Sequence, residues 1–203
     1  MQYNDQMKYL RLLSEKYPTP QAVTHEIINL TAILNLPKGT EHFMSDLHGE
    51  YEAFCHILNN CAGVIREKVE KVFGDRFSDE QIREICTLIY YPVQKLRLLK
   101  KEEKLTEAWY SAALGYMLLI ARVLSSKYTR SKVRKAMPGD YAYIIDELLH
   151  AQKDEDDNQI RYHFNILETI IRIDADSFVI ALAELIKRLA VDHLHIVGDI
   201  YDR

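Results

Sequence analysis

Two short stretches of the 203-residue sequence hold side chains that could do chemistry together. One is Phe43-Met44-Ser45-Asp46-Leu47-His48-Gly49, where an Asp and a His stand one residue apart behind a short apolar run. The other is Gly198-Asp199-Ile200-Tyr201-Asp202-Arg203, behind the apolar run Leu194-His195-Ile196-Val197. A carboxylate just past the C-terminal end of a strand stands where open α/β sheets hold their ligands. Asp46, His48 and Asp199 supply two carboxylates and an imidazole, a donor set suited to divalent Mn, Fe or Zn. Arg203 adds a planar fork that matches a phosphate group. Plainer readings exist: Asp46 as a helix cap, His48 as a surface imidazole, Asp202 and Arg203 as a surface ion pair. Asp199 is more telling, because a carboxylate behind a buried strand needs a charge partner or several donors.

These residues need elements to position them. Apolar residues at Met7, Leu10, Leu13 and Tyr17 have helical spacing, and Pro18-Thr19-Pro20 ends that run. A second helix is expected from about Thr19 to Asn35, and Leu36-Pro37-Lys38-Gly39 turns the chain into a short strand, Glu41 to Met44. Gly49 permits close backbone approach and leads into the next helix. From Tyr51 to Ala190 the pattern is helical throughout. Ser78 and Gln81 form the signature of a capping box, and Pro92 stops the helix it opens. Val93 to Lys104 is basic and amphipathic; Leu105, Trp109, Ala113, Tyr116, Ile120 and Leu124 mark a long helix. Tyr141 to His150 is expected to be helical and residues 154–158 an acidic surface loop. Ile160 to Ile173 and Ser177 to Ala190 read as two helices, with Asp174 or Asp176 as a cap. His193 and His195 are taken to face opposite sides of the last strand and so to be unable to share a metal.

Asp46 and Asp199 lie 153 residues apart, whereas an ordinary parallel crossover needs about a dozen residues. The expected organisation is therefore residues 1–49 with the first strand and its Asp-x-His motif, a helical insertion over 50–190, and the second strand with its Gly-Asp motif over 191–203. The fold class is mostly α with a minimal parallel β element.

A net charge of −4 gives no general attraction to nucleic acid or anionic membrane. No run of about 18 apolar residues is evident, and the N-terminus lacks the pattern of a secretion signal. Cys55, Cys61 and Cys86 are odd in number and show no C-x-x-C pair, so they read as reduced thiols of a cytoplasmic protein.

The blocks Ser45-Asp46-Leu47-His48-Gly49 and Gly198-Asp199-Ile200-Tyr201-Asp202-Arg203 resemble the first two motifs of the calcineurin-like metallophosphoesterases. With the long helical spacer, including Ile89-Tyr90-Tyr91-Pro92 and Arg172-Ile173-Asp174-Ala175-Asp176, the whole chain resembles bacterial class III fructose-1,6-bisphosphatases. The resemblance implies hydrolysis of fructose 1,6-bisphosphate with Mn²⁺, in an α/β metallophosphoesterase sandwich that carries a helical insertion. It also implies that Asp46 and His48 bind one metal and that Asp199 bridges two. Asp202 would orient a catalytic imidazole, and Arg203 would contact the phosphate. The family's Gly-Asn-His block and further histidines are not in this sequence. The chain is therefore expected to be an N-terminal part of a longer enzyme, inactive alone, and to form homo-oligomers. The alternatives are a phosphatase acting on another phosphomonoester and a non-catalytic helical interaction domain.

Overall fold

The computed structural model describes residues 3–150 and 156–201, and divides between Pro37 and Lys38 into two compact units. The N-terminal unit holds α1 (Tyr3–Lys16) and α2 (Pro20–Leu34). Thr19 caps α2 by accepting from the Ala22 amide at 3.2 Å, and Pro20 fits the first helical position. Tyr17 donates to Glu26 at 3.1 Å. Two helices alone cannot enclose a core, and no residue of α2 is buried. Leu10, Leu12, Ile27 and Leu34 stay exposed.

The second unit begins with β1 (Glu41–Met44) and ends with β2 (His193–Ile196). Between them run α3 (Tyr51–Asn60), α4 (Val64–Phe73), α5 (Asp79–Tyr90), α6 (Pro92–Lys101), α7 (Glu107–Ser125), α8 (Arg130–Ala136), α9 (Ala142–His150) and α10 (Asp157–Ala190). The expected capping box is present: Gln81 N–H donates to Ser78 Oγ at 3.3 Å and Ser78 N–H to Gln81 Oε1 at 2.9 Å. Thr106 caps α7 by accepting from the Trp109 amide at 3.2 Å. The core is built on α7 and α10. Leu114, Met117, Ile120 and Leu124 meet Phe178, Leu182, Leu185 and Ile186, with Ile65, Ile89, Ile145 and Leu148 around them. Among the described residues every residue buried as a whole is apolar.

Several expectations need correction. The acidic stretch is not simply a loop: Asp156 caps α10, accepting from the Asn158 and Gln159 amides at 2.9 Å, and Asp157 and Asn158 lie inside the helix. Residues 154 and 155 lie outside the described residues. The two expected helices are joined as α10, with one non-helical residue, Asp174 (φ −156°, ψ 55°). The Asp174 carboxylate takes hydrogen bonds from the Ser177 hydroxyl and amide and from Tyr141, which hold it below the ordinary aspartate range. It is thus the cap of the second half, while Asp176 takes the Tyr110 hydroxyl at 2.5 Å. The helix α7 is, by length and composition, long and apolar enough to cross a membrane. Here it is the central core helix. The basic helix α8 was not foreseen, because Val133 is its single buried residue and no apolar period shows.

The two strands pair in parallel, Glu41 opposite His193 and Met44 opposite Ile196. An Asp192 carboxylate, 4% exposed, fastens the start of this pair. It accepts from the Thr40 amide at 2.9 Å and the Tyr128 hydroxyl at 2.5 Å, and pairs with the Lys132 ammonium. Its own amide donates to the Thr40 carbonyl at 2.8 Å. Gly39 has no side chain because a Cβ there would collide with the Asp192 carboxylate. Burial alone would push the Asp192 carboxyl up. The bonds from Lys132, Tyr128 and Thr40 more than offset this and hold it below the ordinary value.

Asp192→Ala strands these donors and is expected to cost about 1–3 kcal/mol in urea unfolding. The folded-state pKa lies below the unfolded one. The stabilisation is therefore complete above about pH 4 and is lost as pH falls through the folded value. An acid titration of stability should show this limb in the wild type and not in Asp192→Asn.

Candidate functional site

Beyond β1 and β2 the two chains stay side by side. Val197 N–H donates to the Met44 carbonyl at 2.8 Å, and Gly49 N–H to the Ile200 carbonyl at 3.1 Å. The Asp199 carbonyl accepts from both Leu47 N–H (2.6 Å) and His48 N–H (3.3 Å). In return Asp199 N–H donates to Asp46 Oδ1 at 3.2 Å. Residues 153 apart in sequence are thus joined at one junction at the C-terminal ends of the strands.

The junction demands unusual backbone. Asp46 (φ 35°), His48 (φ 47°) and Gly49 (φ 73°) are all left-handed. For non-glycine residues that conformation costs energy, and Asp and His adopt it more readily than most. Such turns gather at functional sites, where surrounding contacts hold them. Here the hydrogen bonds to Asp199 and Ile200 do so. Gly198 lets the two loops touch: a Cβ at this position would lie 2.5 Å from both Asp46 N and Asp46 Oδ1.

Asp46, His48 and Asp199 are all exposed. The structure joins the Asp46 and Asp199 loops as the sequence led one to expect. It does not close a metal cage: among the described residues no three His, Cys, Asp or Glu side chains converge to hold a metal ion. The donor types suit a divalent ion, but this geometry alone does not fit one. Asp202 and Arg203, expected to act on an imidazole and on phosphate, lie outside the described residues.

One outward face of the strand pair was misread from the sequence. His193 and His195 face the same side, since side chains two apart on a strand share a face. Their ring centroids are 6.2 Å apart. Phe43, on the neighbouring strand, stacks on His195 at 4.6 Å, and His195 Nε2 lies 3.2 Å from Glu41 Oε2. The register that pairs Glu41 with His193 and Phe43 with His195 produces this cluster. Alternation along the two strands was the signal that could have revealed it.

Residues 8–203 match the family described as Firmicute fructose-1,6-bisphosphatase. A "Fructose-1,6-bisphosphatase class 3" of Clostridium botulinum (strain Loch Maree / Type A3) is 56% identical over 200 residues, which are 98% of this chain and 30% of that relative. A "Fructose-1,6-bisphosphatase class 3 2" of Clostridium beijerinckii is 53% identical, over 100% of this chain and 31% of that relative. The chain thus spans about a third of the length of the relatives it matches. No solved structure matches.

Gly198→Ala should push the two loops apart, at a cost of about 1–3 kcal/mol for the overpacking. Hydrogen exchange at the Leu47 and His48 amides should quicken, because both donate to the Asp199 carbonyl. Gly115→Ala is the control: inside α7, a Cβ there meets nothing within 4 Å, so it should stabilise the chain by about 0.5–1 kcal/mol.

Proposed function

The chain belongs to the Firmicute fructose-1,6-bisphosphatase family, and from that premise we propose that it is part of an enzyme that hydrolyses fructose 1,6-bisphosphate to fructose 6-phosphate and phosphate. The single observation that carries the reading is the junction that ties Asp46 to Asp199. It sits at the C-terminal ends of two parallel strands, where such sheets hold ligands. The family match over residues 8–203 favours this reading over a non-catalytic helical domain, and the relatives' names favour it over another phosphomonoester.

In this proposal Asp46 and His48 serve one divalent metal, Asp199 is shared between two, and Mn²⁺ is the preferred ion. Two such metals supply an activated water and a clamp for the oxygens of an in-line displacement. The described side chains do not enclose an ion. The chain's own contribution is to orient. The Asp199 amide fixes one oxygen of Asp46, and the left-handed backbone at Asp46, His48 and Gly49 sets the direction in which His48 leaves the strand. Asp202 and Arg203 are proposed to steady an imidazole and the phosphate; offsetting charge that builds on phosphoryl oxygens is a large catalytic effect.

Residues 50–190 are proposed to be a helical insertion between the two motif-bearing strands. A two-stranded sheet is marginal by itself, and parallel sheets are ordinarily covered on both faces. Phe43 on the outer face is 69% exposed. This supports completion into an α/β sandwich by further strands. The apolar residues exposed on α1 and α2 support burial against a second copy, as in a homo-oligomer. Three free cysteines, two of them buried, support a reducing cytoplasm.

The test is phosphate release from fructose 1,6-bisphosphate with Mn²⁺, for the 203-residue chain and for a polypeptide of the relatives' length. Activity is expected in the longer polypeptide alone. Asp46→Asn or Asp199→Asn in it should cost at least about 100-fold in kcat, the scale on which loss of one charge-stabilising group acts. Undiminished turnover in both variants would contradict the assignment.

A further inference from the structure

A cavity of about 310 Å³ opens where the C-terminal ends of α7 and α9 meet the start of α8. That volume falls in the range of small-molecule sites, about 300–1,000 Å³. Arg122, Ser125, Ser126, Tyr128, Arg130 and His150 supply its polar lining, and Val133 and Leu149 complete it. Among the described residues no carboxylate lines it.

The carboxylates that touch these lining residues are already engaged. Asp146, beside His150, takes Arg134 through both Nε (2.9 Å) and Nη2 (2.7 Å). Asp192, beside Tyr128, is paired with Lys132. Two further cations stand against the Tyr128 ring, Lys132 at 4.3 Å and Lys127 at 5.0 Å from its centroid. The surroundings are therefore rich in positive charge.

Helix ends explain part of this. Cations are favourable at helix C-termini, and Arg122 Nη2 donates to the Leu148 carbonyl of α9 at 2.5 Å. Arg130 has no such explanation. It lines the cavity without a hydrogen-bond or ion-pair partner among the described residues. The hydroxyls of Ser125 and Ser126 donate to carbonyls one turn back, and hydroxyls rotate to suit a new acceptor. Two guanidinium groups with adjacent hydroxyls form the donor array that matches phosphate oxygens.

We infer that this cavity is a binding site for a phosphate group, free or carried by a small metabolite, separate from the junction of Asp46 with Asp199. Its wall reaches the strand pair through one residue, since Tyr128 lines the cavity and donates to both Asp192 and the Leu189 carbonyl. The inference does not depend on the phosphatase reading, because none of its residues belongs to that junction.

Calorimetric titration of the 203-residue chain with inorganic phosphate should show one saturable site. Arg130→Glu should weaken it by about tenfold or more, the scale of a lost charged hydrogen bond. Arg130→Gln removes the charge without adding one and should weaken it in the same direction. Lys101→Glu on α6 and Asp46→Asn, both remote from the cavity lining, should change the affinity by less than about twofold. Absence of saturable binding would overturn the inference. So would equal weakening by Lys101→Glu, which would mean general charge attraction. Loss of binding in Asp46→Asn with Arg130→Glu unaffected would overturn it too, placing the phosphate at the strand ends and leaving the phosphatase reading intact. Comparing inorganic phosphate with a sugar monophosphate at the same site separates the free group from its metabolite-borne form.

Discussion

The pairing of β1 with β2 is the constraint on which the rest depends. It joins segments about 150 residues apart in sequence, and only this pairing brings the Asp46 loop to the Asp199 loop. Closing so long a loop costs only slightly more entropy than closing a short one, but it must be held closed. The helical core does that work. The core helix α10 leads directly into β2, and the Asp192 carboxylate then gathers the lead of β1, the Tyr128 loop and α8 around one buried point. The strands are short, so the fastening at one end sets the register at the other.

That arrangement keeps the junction together although, among the described residues, eight α-helices separate its two strands in sequence. The helices pack on one another through α7 and α10, and the chain on either side of them pairs as β1 and β2. The Asp46 and Asp199 loops meet at the opposite ends of the same strands, where Gly198 has no side chain to keep them apart. The strained backbone at Asp46 and His48 is tolerated because four amides and one carboxylate oxygen are bonded across the junction. The junction gives these residues a shared location.

Much of this was legible in the residues. Ser78 with Gln81 and the stripe from Trp109 to Leu124 announced their helices, because caps and apolar period act locally. The strands were legible within one residue, and Asp46, His48 and Asp199 stood out by type. What escaped depends on contacts distant in sequence. Asp192 looked like a turn residue, and its role as a fastener arises only when Thr40, Tyr128 and Lys132 arrive. The helix α8 lacks an apolar stripe because a single residue, Val133, anchors it. The facing of His193 and His195 could have been read from strand alternation alone, and the register that adds Phe43 and Glu41 could not. Arg130 gained meaning only from having no partner among the described residues, in a cavity formed by three separate helices.

Asp46, His48 and Asp199 share one junction, and the proposed function requires that a divalent ion reach it. Paramagnetic broadening of amide resonances on titrating Mn²⁺ into the 203-residue chain tests this most directly. The amides of Leu47, His48, Asp199 and Ile200 should broaden first and together. Broadening confined to one loop, or centred on the acidic residues around Asp156 with both loops sharp, would contradict it.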